Sequence, residues 1–167
     1  MQLKIKYFKE YSLSEWDSLV AGFGKAAFDH SWTWLTYLSR QPNVIENVTF
    51  VCLENKNTPL AIVSLAITKT TENNVEISFN GIPCPIPVFT KIKPRTKRKL
   101  FDSIFLKIIE IATENNAKKI IFKNAPVSLG TLSTETISNT DDFELLRYQF
   151  NYLVQNIFVM DLRIKEE

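Results

Sequence analysis

The chain has 167 residues, 45% of them hydrophobic and 23% charged, with a formal net charge of +2. That length suits a single domain over 1–167 with a real core, and the composition is that of an ordinary soluble globular protein. The near-neutral balance offers no global attraction to nucleic acid or membrane and argues against specific DNA binding. The longest apolar run, Leu60 to Ile67, falls far short of the roughly 20 residues that cross a bilayer.

Cys52 and Cys84 sit in apolar contexts without metal or redox spacing, which points to free thiols in a reduced, cytoplasmic setting. With His30 as the one histidine, neither a zinc-site nor a Ser-His-Asp spacing is present, so no metal is expected.

In chain order, Gln2 to Phe8 alternates Leu3, Ile5 and Tyr7 with lysines and predicts a half-buried strand. Ser12 followed by Glu15 is a capping-box pattern opening a helix with Leu13, Trp16, Leu19, Val20 and Phe23 at helical spacing, ended by Gly22 and Gly24. FDHSWTWLTYLSRQP predicts a second short helix, with Ser31 as N-cap, Pro42 closing the segment and Trp34, Leu35 and Leu38 as its apolar stripe.

Three strands follow. Val48 to Glu54 and Pro59 to Thr70 flank an NKNT turn, and the continuous apolar run of the second implies burial on both faces. Val75, Ile77 and Phe79 then alternate with Glu76 and Ser78. Asn80-Gly81 and the prolines at 83, 85 and 87 are expected to end this strand or push it from its neighbour, since proline donates nothing to a ladder.

A long helix is predicted over roughly Thr96 to Asn116, burying Leu100, Phe101, Ile104, Phe105, Ile108, Ile111 and Ala112. Lys118 to Lys123 is a short strand. After a polar loop, Asp141 and Asp142 open a short helix, and Phe150 to Val154 and Ile157 to Ile164 predict terminal strands. Hairpin-linked strands followed by a strand–helix–strand crossing imply an α/β fold: a mixed, mostly antiparallel central sheet with helices on both faces.

This order resembles the GNAT acyltransferase fold over nearly the whole chain. FDHSWTWLTYL, the hairpin VCLENKNTPLAIVSLAI, SFNGIPCPIP and NIFVMDL resemble, in order and spacing, the first of the two tandem GNAT-like domains of Fem-type and polysaccharide-associated acyltransferases. The resemblance implies an N-acyltransferase-related domain with little activity alone, contributing to binding of an anionic sugar, nucleotide-sugar or cell-wall-type substrate in envelope or polysaccharide biosynthesis. It implies a second GNAT-like domain or a homodimer as partner. It also implies no cofactor in this chain, with acetyl-CoA or aminoacyl-tRNA as donor only if the family activity is retained. Two other readings stay open: an active single-domain acetyl-CoA-dependent N-acetyltransferase on an amino-sugar, and a non-catalytic anion- or carbohydrate-binding module.

A GNAT domain of the usual pattern carries a glycine-rich loop before its long helix, whose N–H groups close on a pyrophosphate. Lys91-Ile92-Lys93-Pro94-Arg95-Thr96-Lys97-Arg98-Lys99 stands there instead, without glycine, and Pro94 removes a donor. Its cations read either as a solvated loop or as a site for an anionic partner through Lys91, Lys93, Arg95, Lys97 and Arg98, with Asn80 beside it. Leu145 stands where GNAT relatives place a general-acid tyrosine, so Tyr148 and Tyr152 read as packing residues. Glu76 is the candidate general base, against a solvated or salt-bridged strand residue. Asp29 or Ser31 reads as a cap, His30 as a half-exposed neighbour and Cys84 as an inert thiol. Trp34 fits the core and Trp32 is the tryptophan that lines a groove.

Overall fold

The computed structural model describes residues 4–24, 26–54, 57–123 and 147–148. The expected helix at 141–142 and the strands at 150–154 and 157–164, with Tyr152, lie outside them.

Strand β1 (Lys4–Tyr7) leads to α1 (Leu13–Ala21). Ser12 and Glu15 cap α1 reciprocally: the Glu15 N–H donates to Ser12 Oγ at 3.4 Å, and the Ser12 N–H donates to Glu15 Oε2 at 2.7 Å. The Ser12 N–H bond, and a second at 2.8 Å from the Ser12 hydroxyl to the same oxygen, hold the Glu15 carboxyl below its ordinary range. A tight helical turn (Phe28–His30) precedes α2 (Trp32–Leu38), whose N-cap is Ser31, accepting from the Trp34 N–H at 3.2 Å. The buried indole of Trp16 donates to the His30 carbonyl at 2.8 Å and ties α1 to that turn.

The predicted strand 48–54 belongs to a longer line, β2 (Val44–Asn47) and β3 (Phe50–Leu53), and the predicted strand 59–70 divides into β4 (Pro59–Val63) and β5 (Ala66–Lys69). Both break at the same level because the Thr49 side chain intrudes into the ladder, its Oγ1 accepting from the Leu65 N–H at 3.1 Å. The break separates the pairings β1-β3-β4-β8 from β2-β5-β6-β9, with β6 (Val75–Ile77), β8 (Val88–Phe89) and β9 (Lys119–Ile120). Residues 60–68 are buried throughout, as a strand covered on both faces requires.

As expected, the strand parts from its neighbour β5 ahead of the prolines, β6 ending at Ile77, but the chain does not leave the sheet. Asn80 and Gly81 take positive φ values of 53° and 82°, a two-residue turn in which Phe79 and Ile82 exchange backbone hydrogen bonds. The line resumes as β7 (Cys84–Pro85), parallel to β10 (Phe122–Lys123), and β8 then pairs with β4. Cys84 and Ile86 donate to the carbonyls of Ile121 and Lys123 at 2.8 and 3.2 Å. Pro83 and Pro85 occupy the alternate positions, whose nitrogens face away from β10, and Pro87 lies where pairing passes from β10 to β4. The prolines thus remove donors from one edge only.

Helix α3 (Pro94–Glu114) starts two residues earlier than predicted and buries the seven expected residues, the leucine, isoleucines and phenylalanines each contributing roughly 1.5–3 kcal/mol and Ala112 less. Neighbouring residues of β10 show how the layers lie: Phe122 packs edge-on against Phe105 of α3 at 6.0 Å, while Lys123 pairs with Asp29 before α2 at 2.9 Å. Since successive strand residues point to opposite faces, α3 covers one face and the α2 region the other. This is the mixed sheet between helical layers that the sequence implied.

Candidate functional site

The strand–turn–strand run from Glu76 to Pro87 and the start of α3 hold most of the residues the sequence singles out. Glu76 is neither solvated nor salt-bridged. It is 8% exposed, and its Oε1 accepts a 2.6 Å hydrogen bond from Ser78 Oγ. Ser78 Oγ in turn accepts from the Gly81 N–H at 2.9 Å. Thr68, opposite Glu76 in the β5–β6 ladder, donates to the Ser78 carbonyl at 2.8 Å and accepts from the Asn80 N–H at 3.3 Å. The turn is therefore fastened to the carboxylate through one serine. Among the described residues no cation pairs with Glu76. Asn80 belongs to this arrangement through its backbone, as the exposed left-handed residue of the turn.

The backbone accounting along this strand has a chemical consequence. The N–H of Ser78 goes to Ala66, Phe79 to Ile82, Asn80 and Gly81 to side-chain hydroxyls, Ile82 to Phe79, Cys84 to Ile121 and Ile86 to Lys123. Pro83, Pro85 and Pro87 have none. No N–H from Ser78 to Pro87 remains for a ligand carbonyl.

Across the sheet edge lies a pair the sequence reading missed. Asp29 binds Lys123 at 2.9 Å, so it caps no helix and forms no dyad with His30. His30 is 2% exposed rather than half-exposed, and its Nδ1 accepts from the Ala27 N–H at 3.2 Å. Its proton therefore sits on Nε2, which has no partner among the described residues, and burial holds its pKa below 6.5. Cys84 is fully buried, and desolvation pushes its thiol up to about 12, as an inert cysteine requires. The charges of Lys123, Asp29 and Glu76 act on that thiol as smaller influences. The lysine closing KKIIFK was the available signal, but only the tertiary fold names its partner.

At α3, Lys93 is the N-cap and provides no side-chain cap, and no acid stands in the first turn. Pro94 occupies the first helical position, where its missing N–H would be unpaired in any case. It removes less from an anion site than the sequence reading held. The N–H groups of Arg95 and Thr96 have no acceptor among the described residues. Lys91, Lys93, Arg95 and Arg98 are exposed, and these last cations ride on the helix rather than in a loop before it. Lys97 differs: half-buried, it holds its Nζ 5.1 Å over the Phe89 ring.

Tyr148 stacks on Phe105 at 4.2 Å and its hydroxyl donates to Asp102, the packing role expected of it. Both tryptophans are half-buried against the core, Trp34 as expected and Trp32 more covered than a groove-lining residue would be. Trp32 is half-buried against Phe8 at 4.7 Å, while Trp34 joins Phe28, Tyr37 and Phe79 in an aromatic group that reaches the surface.

No protein-family model matches this chain, and no curated protein does. Solved structures do. An aminoglycoside acetyltransferase from an uncultured soil metagenomic sample is similar at TM-score 0.56 and 16% identity, over 99% of this chain and 100% of that one. An aminoglycoside antibiotic 6'-N-acetyltransferase from Acinetobacter baumannii is similar at TM-score 0.50 and 10% identity, over 98% of this chain and 100% of that one. Identities this low speak of architecture alone, and the architecture of this chain is the GNAT fold of those acetyltransferases.

Proposed function

We propose that the chain is a GNAT-type N-acetyltransferase that moves an acetyl group from a CoA thioester to the amine of an amino-sugar. The observation that carries the reading is the start of α3: a helix end without a side-chain cap, with two N–H groups that have no acceptor among the described residues, ringed by cations that oppose the helix dipole unless an anion offsets them. Arg95 and Arg98, with Lys91 and Lys93, would hold the diphosphate end of the donor through side chains, where relatives use glycine-loop backbone. The likeness to a solved acetyltransferase over 99% of this chain and 100% of that one supports the acetyltransferase reading.

The residues present fit the donor's charged end; its acyl end finds no free N–H on 78–87. When bound, the thioester supplies an activated acyl carbon. Glu76 would take the proton of the attacking amine as the C–N bond forms, and the C–S bond would break with its electron pair on sulfur, CoA leaving as a thiolate that solvent protonates. Polarisation of the acyl carbonyl must come from outside this strand, and a missing oxyanion donor costs about 10²–10³ in rate, so turnover should be slow.

Calorimetric titration with acetyl-CoA tests the reading: micromolar affinity is expected, and no heat at millimolar donor sinks it. The same lack of strand donors favours a second reading, a Fem-type half-enzyme that binds anionic substrates but turns over only with a second GNAT-like domain or second copy. Activity that appears only on adding such a partner selects it. Donor or glycan binding without turnover under either condition marks a binding module.

A further inference from the structure

Phe28, Trp34 and Tyr37 form a row on α2 and the turn before it. Ring centroids are 5.4 Å apart for Phe28–Trp34 and 5.7 Å for Trp34–Tyr37. Trp34 also touches Phe79, at 6.1 Å, and so joins the row to the turn that carries Ile82. Phe28 is 64% exposed, Tyr37 55% and Ile82 48%. The Trp34 Nε1, by contrast, is buried with no acceptor among the described residues. Core filling explains neither feature, because core rings are covered and buried N–H groups are normally paired.

We propose that this row is a sugar-stacking platform, on which a pyranose of the amino-sugar substrate lays its apolar C–H face. Phe28 and Tyr37 supply the exposed ring faces, and Trp34 packs between them and fixes their spacing. Charge favours an amine-bearing sugar over a neutral or acidic one. Lys123 is already paired with Asp29, while the Glu76 carboxylate has no cation partner among the described residues, and ring faces themselves attract ammonium groups. A protein partner fits less well: a few exposed side chains cover a few hundred Å², against about 800 Å² per partner in a stable interface.

The assignment rests on the amino-sugar reading above, and its test omits the acyl donor so that the two can fail separately. The tryptophan fluorescence of the full chain is titrated with a chitosan tetrasaccharide, with maltotetraose as a neutral sugar and with spermidine as an amine without sugar rings. Saturable binding of the chitosan oligomer is expected, about tenfold weaker binding of maltotetraose and none of spermidine. Phe28→Ala and Tyr37→Ala should each weaken binding about five- to tenfold, and Tyr37→Phe, which keeps the ring, should retain it. Sugar binding that persists without acetyl transfer leaves the platform standing and removes the transferase reading. Spermidine binding as tightly as the oligosaccharide, no sugar binding, or Phe28→Ala and Tyr37→Ala proteins that bind like wild type while melting at the wild-type temperature, each overturns the platform.

Discussion

Glu76 carries more of the proposed chemistry than any other side chain, and its setting is specific enough to test. Its hydrogen bond from Ser78 fixes one oxygen, and the carboxylate lies beside the turn rather than in bulk water. Glu76→Gln keeps shape and hydrogen bonding while removing the base, so kcat should fall about 10²–10⁴-fold with donor affinity unchanged; steady-state kinetics beside calorimetry separates the two. His30 gives a pH signature. Burial lowers its folded pKa below 6.5, so the unfolded chain binds the extra proton first as pH falls. The stability it contributes is present above about pH 6.5 and is lost below it, by at most about 1.4 kcal/mol per pH unit. Denaturant midpoints between pH 5 and 7.5 should show that slope in wild type, and His30→Gln should flatten it. Loss of the Ser12 cap, by Ser12→Ala, should cost about 1 kcal/mol in the same measurement.

Among the elements, α3 sets stability against binding. Its first turn lacks an acid and carries Arg95 beside N–H groups without an acceptor among the described residues. Arg95→Glu reverses an unfavourable charge–dipole contact and should stabilise the free protein by about 0.3–1 kcal/mol, one to a few degrees in Tm. With Arg98→Glu added, CoA affinity should drop tenfold or more. A helix start shaped by a ligand predicts these opposite signs in calorimetry and thermal melts. If donor binding is unaffected, α3 takes no part in it. The strand from Val75 to Phe89 is the other element with a divided role, since its tight turn and its prolines keep a ladder with β10 while offering no donor to a ligand.

For the molecule as a whole, the two helical layers isolate what they enclose. Cys52 and Cys84 lie under opposite parts of the sheet with thiols pushed up to about 12, so a thiol reagent at pH 8 should leave both unmodified until denaturant unfolds the chain. Much of this arrangement is local and therefore legible in residue order. The capping box at Ser12, the Ser31 cap, the buried stripe of α3 and the mixed sheet follow from 3.6- and two-residue periodicities that neighbouring residues satisfy among themselves. The basic run at the start of α3 was visible for the same reason. What only the tertiary structure decided depends on partners distant in sequence. Thr49 splits two strands by reaching Leu65, Lys123 takes Asp29 from its expected capping role, and Ser78 ties Glu76 to the turn. Trp34 and Trp32 could not be sorted by spacing, because a short helix leaves both half-covered and the choice falls to Phe8, Phe28 and Phe79. Burial and polar pairing across the sheet, not propensity, placed the site.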